Sequence, residues 1–372
     1  MRHNIRLIII VVNTRIFKLR RVLKKEKLDA FVVLTQEGNN KNVQYLSNFS
    51  GTSGLLVITE KKQILMVDSR YTERARKETR GVIVVQMANS KAIYEYIKQG
   101  LEVMGIRGRA RVGFEGKNIS FLMARKWEKK LPYTLVPTEN IVERLRQYKD
   151  KEEIAYIRLA CQATSMAFRK IAPRVCAGMR ESEIALTIDS TLREFGATEN
   201  SFTTIVASGP NAAIPHHNTS GRRICAGEAL VLDFGGVFKG GYVSDLSRTL
   251  FVPGKKPDPK FVKIYKAVRG AQRAAKSALR AGLSFKKYDA VARQYIEKAG
   301  YGKYFTHSLG HSIGLDAHDP YDYKNDVIKI GTVLTNEPGI YIPGRGGVRI
   351  EDDIVITKNG AEQLTGAPYL KF

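Results

Sequence analysis

The chain has 372 residues, 43% of them apolar, and its 61 Lys and Arg against 36 Asp and Glu give a formal charge of +25. That length holds about two domains of ordinary size, each able to bury its own core, and the apolar share excludes an intrinsically disordered chain. The longest apolar run near the start, Leu7 to Val12, is six residues, far short of the roughly 18 that span a bilayer, so no membrane partner is expected.

That run follows Arg2 and Arg6 but lacks the long apolar core and small-residue cleavage site of a secretory leader. An N-terminal strand or a poorly ordered extension is expected there. Asn13 then caps a helix whose apolar positions Ile16, Leu19, Val22 and Leu23 share a face. Ala30 to Leu34 reads as a buried strand, and short apolar runs recur at Leu55 to Ile58, Ile64 to Val67 and Val82 to Val85. Turn-rich or charged stretches separate them, the pattern of an α/β layer domain. A charged run, Glu143 to Glu153, marks the linker, giving domains of 1–147 and 148–372.

The second domain repeats a pattern. A long amphipathic helix from Glu152 to Ile171 and another from Glu181 to Phe195, closed by Gly196, precede strands that include Ala229 to Phe234. After Pro253 to Pro259 come a helix to Ala281, another from Phe285 to Ala299 closed by Gly300, and strands around Val333 and Val348. Two helices then strands, twice over, is a duplicated α+β half. Two such halves leave a cleft between their sheets.

Charge and cysteine content narrow the partners. Residues 1–150 hold 30 Lys and Arg against 14 Asp and Glu, net +16, and the remainder 31 against 22, net +9. A basic excess of this kind marks either a nucleic-acid footprint or a solvated surface, and no basic run with interleaved aromatics argues for nucleic acid. Cys161, Cys176 and Cys225 are odd in number and far apart, so neither a disulfide framework nor a thiolate zinc site is expected and a reducing cytoplasm is the default.

The densest chemical signal is Asp233-Phe-Gly-Gly-Val-Phe-Lys-Gly-Gly-Tyr-Val-Ser-Asp245. Asp233 ends an apolar strand, and the glycines suit a hairpin that returns Asp245 beside it. Two carboxylates side by side in an apolar sheet repel unless a cation or proton sits between them. His311 lies in His307-Ser-Leu-Gly-His311-Ser-Ile-Gly, Glu337 in Thr335-Asn-Glu-Pro, and Glu351 closes Gly347-Val-Arg-Ile-Glu351 with Arg349 on its face. Gly310 and the missing Glu make a helical zinc-protease pair of His307 and His311 a poor reading. Four carboxylates and one imidazole have the composition of an oxygen-rich site for two divalent cations, where a bridging hydroxide would be the nucleophile.

With these motifs in hand, the chain resembles the pita-bread metallopeptidases, specifically their Xaa-Pro aminopeptidase and Xaa-Pro dipeptidase (prolidase) branch. Tyr45-Leu-Ser-Asn-Phe-Ser-Gly51 and Val67-Asp-Ser-Arg-Tyr71 look like that family's N-terminal domain, and residues from about 148 onward like its catalytic domain. The resemblance implies an α/β N-terminal domain ahead of an α+β pita-bread catalytic domain with pseudo-twofold duplicated halves. It implies Asp233, Asp245, His311, Glu337 and Glu351 as ligands of two divalent ions per chain, with Asp245 and Glu351 bridging; manganese or cobalt is expected first, iron or zinc next. His216 would contact substrate and aid proton transfer, His318 would bind the scissile carbonyl or its tetrahedral intermediate, and His307 would line the prolyl pocket. Glu337 would accept the water proton, and Arg349 would orient Glu351 or the substrate. His217 matches no family role. A homodimer is implied.

The expected reaction is hydrolysis of an Xaa-Pro bond, in a dipeptide or at the N-terminus of a peptide. The twelve-residue spacing from Asp233 to Asp245 exceeds that of many relatives by one, an insertion the paired glycines can absorb. Tyr321, Asp322 and Tyr323 follow His318 where some prolidases carry an Arg, which tilts the reading toward an aminopeptidase. The alternatives are a creatinase-like C–N hydrolase that works without metals, and a non-catalytic binding module for histones or nucleic acid. Retention of all five ligand positions argues against both.

Overall fold

The computed structural model describes residues 2–37, 40–88, 91–325 and 327–372, with side chains from residue 14 on. The chain divides into two compact units, Met1–Arg146 and Gln147–Phe372. Among the described residues no helix is long and apolar enough to cross a membrane.

The first unit opens with α1 (Arg2–Lys25), followed by β1 (Ala30–Thr35), α2 (Lys41–Ser47), β2 (Gly54–Thr59), β3 (Gln63–Val67), α3 (Thr72–Glu78), β4 (Ile83–Gln86), α4 (Ile93–Val103), β5 (Arg111–Glu115), α5 (Phe121–Lys130), β6 (Thr134–Thr138) and α6 (Ile141–Arg146). One correction concerns the start. Leu7 to Val12 is helical, neither a strand nor an extension, and Asn13 lies within α1 instead of capping it. A six-residue apolar run fits a strand or a helix equally well, and only its continuation decides.

The six strands form one mixed sheet in the order β4-β3-β2-β1-β5-β6. All six residues of β1 are buried, as expected for a central strand covered on both faces. Ile16, Leu19 and Leu23 of α1 are buried, and Val32, Val57, Met66, Ile97, Leu101, Val112 and Trp127 form the main core. The charged run Glu143 to Glu153 is not a linker throughout, because α6 and the next helix occupy its two ends.

The second unit begins with α7 (Lys151–Ile171). Asp150 caps it, accepting from the backbone N–H of Glu152 and Glu153 at 3.0 and 2.9 Å, while Glu153 accepts from the Asp150 N–H at 3.0 Å. This reciprocal pairing satisfies the orphan donors of the first turn. Next come α8 (Glu181–Glu194), β7 (Glu199–Asn200), β8 (Ile205–Ser208), β9 (Ala229–Phe234), β10 (Gly236–Val237) and β11 (Leu246–Phe251). The second half supplies α9 (Pro259–Ala278), α10 (Phe285–Lys298), β12 (Val333–Asn336), β13 (Gly339–Ile342), β14 (Gly346–Arg349), β15 (Asp352–Thr357) and β16 (Gly360–Gln363). Two helices followed by strands, twice, is the duplicated α+β arrangement read from the sequence.

Each half has its own core. Phe168, Ile184, Leu192, Leu230, Leu232 and Phe234 pack together in the first, and Ile264, Val268, Tyr288, Ile296, Leu334 and Ile354 in the second. The sheets are short and antiparallel: β11-β9-β8 in the first half, β12-β15-β16 and β13-β14 in the second. Asp233 pairs with Ser247 across the β9–β11 ladder, so Asp245, one residue ahead of β11, falls on the same face as Asp233. The turn between them passes through Gly240 and Gly241 at φ 78° and 79°, left-handed values that favour glycine.

A buried carboxylate in the first unit gives a pH test. Glu115 accepts from the side-chain amides of Asn40, Asn42 and Asn118 at 2.5, 2.6 and 3.1 Å. Burial, only partly offset by those bonds, raises its pKa to about 7. The folded state thus holds a proton that the unfolded chain releases above its ordinary carboxylate range. The stability this proton carries is fully present below that range and is lost as pH rises through about 7. The melting temperature of the full chain should therefore decline relative to that of Glu115→Gln between about pH 5 and 8. Parallel pH curves would contradict this.

Candidate active site

The five acids and imidazoles expected as ligands reach one cavity from separate elements. Asp233 lies on β9, Asp245 just before β11, Glu337 just after β12, and Glu351 in the two-residue break between β14 and β15. His311 sits on a loop laced to β12. Its N–H donates to Thr335 Oγ1 at 2.9 Å, the Thr335 N–H donates to His311 O at 2.8 Å, and the Glu337 N–H donates to Leu309 O at 2.9 Å. Gly310 is needed for this approach, since a Cβ there would stand 2.3 Å from Thr335 O. The cavity, about 520 Å³, is lined by all five together with His216, His307, His318 and Arg349. Phe202, Ile205, Pro215, Phe285 and Tyr323 add apolar wall; sequence reasoning had pointed to Tyr323, but not to the wall.

The donor atoms are crowded. One ligand atom from each of Asp245, His311 and Glu351 lies within 4.8 Å of the other two. His311 Nε2 is 3.6 Å from Asp245 Oδ2 and 3.4 Å from Glu337 Oε1. Its Nδ1 donates to Ser312 O at 3.3 Å, which leaves a lone pair on Nε2. Burial, helped by His318, lowers this imidazole to about 3, so a neutral ring turns its lone pair toward carboxylate oxygens.

Most of the acids have one oxygen held by the protein and one left over. Arg349 Nη2 donates to Asp233 Oδ2, Ser247 Oγ to Glu351 Oε2 at 2.9 Å, and Thr335 Oγ1 to Glu337 Oε1 at 3.0 Å. Asp233 Oδ1, Asp245 Oδ1 and Glu351 Oε1 are buried with no hydrogen-bond partner among the described residues. Burial, then neighbouring acids, pushes the carboxyls of Asp245 and Glu351 well up, and burial raises Glu337 to about 8 despite Arg349. Two like charges about 4 Å apart repel by about 4 kcal/mol at an effective dielectric of about 20. A few such pairs equal the whole stability of a typical domain, about 5–15 kcal/mol. The orphaned oxygens, the inward lone pair and the oxygen-rich donor set fit hard divalent cations.

A second tier of residues fixes the first. Asp353 accepts from the Asp245 N–H at 3.0 Å and from Cys161 Sγ at 3.1 Å, and burial raises it to about 7. Arg349 donates from Nε to Ser247 Oγ at 2.9 Å and from Nη1 to Pro215 O at 3.2 Å and Tyr341 Oη at 2.9 Å. It was expected to orient Glu351 or the substrate. It binds Asp233 directly and reaches Glu351 only through Ser247. Strand alternation from Arg349 and Glu351 points on to Asp353, so that residue was within reach of the sequence, whereas Tyr341 carried no signal.

His318 and His307 are lowered by burial and differently held. His318 stacks on His311, ring centroids 3.8 Å apart, and burial lowers its pKa. His307, lowered by burial to about 4, donates from Nδ1 to Ser308 O at 2.8 Å and accepts at Nε2 from Tyr341 Oη at 2.9 Å. The loop that carries His311 and His318 is pinned by a buried ion pair. Lys149 Nζ stands 3.1 Å from Asp319 and 2.9 Å from Ser312 Oγ, both charged side chains 1% exposed.

Two family patterns and a set of known proteins match the chain. The pattern of metallopeptidase family M24 matches residues 155–358, and that of the creatinase/prolidase N-terminal domain matches residues 15–148. The chain is 36% identical over 357 residues to an Xaa-Pro dipeptidase of Pyrococcus furiosus, covering 92% of this chain and 98% of that protein. Among solved structures it resembles an Xaa-Pro dipeptidase from Bacillus anthracis, with TM-score 0.89, 35% identity, and 96% and 99% of the two chains covered. It also resembles an X-Pro aminopeptidase from Thermotoga maritima, with TM-score 0.86, 32% identity, and 93% and 97% covered.

The Lys149–Asp319 pair yields a stability test. Lys149→Met leaves a buried carboxylate without its ammonium and should cost about 3–5 kcal/mol in urea unfolding. A loss below about 1 kcal/mol, the scale of an exposed pair, would show that the pin is not needed.

Proposed function

Because the chain belongs to metallopeptidase family M24 and is a peptide hydrolase, we propose that it cleaves the bond between any residue and a following proline, at the N-terminus of peptides or in Xaa-Pro dipeptides. The observation that carries this reading is the convergence of Asp233, Asp245, His311, Glu337 and Glu351 on one cavity with three buried oxygens unpartnered. In this proposal those five residues would hold two divalent ions, manganese or cobalt first. Bound there, the ions would offset the acids' charge, polarise the scissile carbonyl and make a water nucleophilic at neutral pH.

The chain's own groups do the rest. With cations offsetting the acids, Glu337 would be ionised, keeping one oxygen on Thr335 and offering the other to the proton of the attacking water. His318, neutral and stacked on His311, donates a hydrogen bond to the carbonyl oxygen as its charge grows. His216 contacts the substrate and aids transfer to the departing prolyl nitrogen of the proton that Glu337 took from the water. His307, Phe285 and Tyr323 wall a site for the prolyl ring. Proline suits a site that does not grip an extended backbone, because its nitrogen carries no hydrogen and its φ is fixed.

The exit side favours the longer peptide. Arg349 is the only Lys or Arg among the described residues lining the cavity, and its donors are committed to Asp233, Ser247, Pro215 and Tyr341. A dipeptide's free carboxylate would find no spare cation there. The +16 of residues 1–150 is then a surface property, not the footprint of a nucleic-acid module. Three cysteines, none in a disulfide, suit the reducing cytoplasm, and a homodimer carries over from the family resemblance.

Manganese-supplemented protein should cleave an Xaa-Pro-containing tripeptide with a higher kcat/KM than the matching dipeptide. A strict preference for the dipeptide would overturn the aminopeptidase tilt. Replacing groups that merely orient metal ligands costs about 10–100-fold, so Asp245→Asn and Glu351→Gln should lower turnover by about 100-fold or more. Turnover at the wild-type level in either variant would refute the assignment.

A further inference from the structure

His216 reaches the cavity from an exposed position, and its ring makes no hydrogen bond to a described residue. An imidazole that must meet a substrate atom cannot be left to sample its rotamers freely. The chain on both sides of it is fastened. Before it, Pro215 O accepts from Arg349 Nη1 at 3.2 Å. After it, His217 Nε2 stands 3.0 Å from Glu181 Oε2, the two side chains 11% and 0% exposed.

Glu181 is the first residue of α8 and a hub. Its Oε1 accepts from the Ser208 N–H at 2.8 Å, Ser208 Oγ at 2.6 Å and Asn211 Nδ2 at 3.0 Å. Its Oε2 accepts from the Ser220 N–H at 3.1 Å and Ser220 Oγ at 2.6 Å, besides His217. These partners lie on the chain before and after His216. Burial pushes the Glu181 carboxyl up, but hydrogen bonds from Ser208, Ser220, His217 and Asn211 outweigh it and hold the group at about 2. An ionised carboxylate only accepts, so His217 Nε2 carries the hydrogen. His217, which matched no role in the family resemblance, is thus the link between this hub and the residue beside it that faces the cavity.

We propose that His217 is a positioning residue: bonded to Glu181, it fixes the Pro215–His217 segment so that His216 is presented to the substrate. The inference rests on the cavity being an Xaa-Pro peptidase site. Loss of the His217–Glu181 bond leaves the ligands untouched and lets His216 wander, so the effect belongs in kcat and depends on His216 being present.

The test is a double-mutant cycle in manganese-loaded protein with an Xaa-Pro tripeptide. His217→Ala should lower kcat by about 10- to 100-fold with metal content and melting temperature near wild type. His217→Gln, whose amide reaches as far as Nε2, should recover most of the rate. In the His216→Ala background, the His217→Ala change should alter kcat by less than about twofold. Equal losses in both backgrounds, or a single variant within about twofold of wild type, would overturn the proposal. If the alanine variant does not fold, His217→Gln against His217→Asn carries the test, because the shorter amide cannot reach Glu181; equal rates would overturn it. The same effect is read without turnover, since His217→Ala should broaden the His216 ring resonance in proton–carbon NMR spectra and an unchanged resonance contradicts the anchoring. If His217→Ala gives this NMR response while the wild-type protein shows no Xaa-Pro turnover, the peptidase reading is rejected and the anchor is kept.

Discussion

Like charge held out of water governs this molecule. Asp233, Asp245, Glu337 and Glu351 face one cavity with a neutral imidazole whose lone pair points among them. Among the described residues Arg349 is the one guanidinium lining the cavity, and of the four acids it hydrogen-bonds Asp233. No arrangement of protein donors satisfies such a cluster, because Ser247, Thr335 and Arg349 each reach one oxygen and leave its mate unpartnered or free. The catalytic unit is folded around a deficit of positive charge, and the family to which the chain belongs is one that fills such deficits with metal.

The rest of the unit can be understood as the means of imposing that deficit. The antiparallel register of β9 and β11 puts Asp233 and Asp245 on one face. The break between β14 and β15 frees Glu351 to leave one sheet before the next begins. Duplication lets each half bring its own acids on or beside short strands backed by its own pair of helices. The loops that carry the imidazoles are each tied to a carboxylate: Asp319 to Lys149, Glu181 to His217, and Asp289, which accepts from the Leu309 N–H at 2.8 Å, near His307. Strands and their ends carry the acids, and pinned loops carry the imidazoles.

Much of this was legible in the sequence because it is local. Asp150 with Glu153 announces the start of α7, and Gly196 and Gly300, at φ 95° and 84°, close α8 and α10. Glycines beside Asp233, Asp245 and His311 mark tight approaches whatever the distant context. What stayed hidden depends on partners far along the chain: Glu115 beside Asn42, Cys161 beside Asp353, Lys149 beside Asp319. A sequence shows the residues of such pairs but not their meeting. The helical start at Leu7 to Val12 was misread for the opposite reason, since six apolar residues in a row carry no periodicity to choose between helix and strand.

The measurement that bears most directly on this account is a calorimetric titration of the chelator-stripped protein with manganese. If the buried acids are a site for two divalent ions, saturable heat should report two equivalents per chain, and Glu351→Gln should lose at least one of them. No saturable uptake by the folded protein would contradict the account at its root.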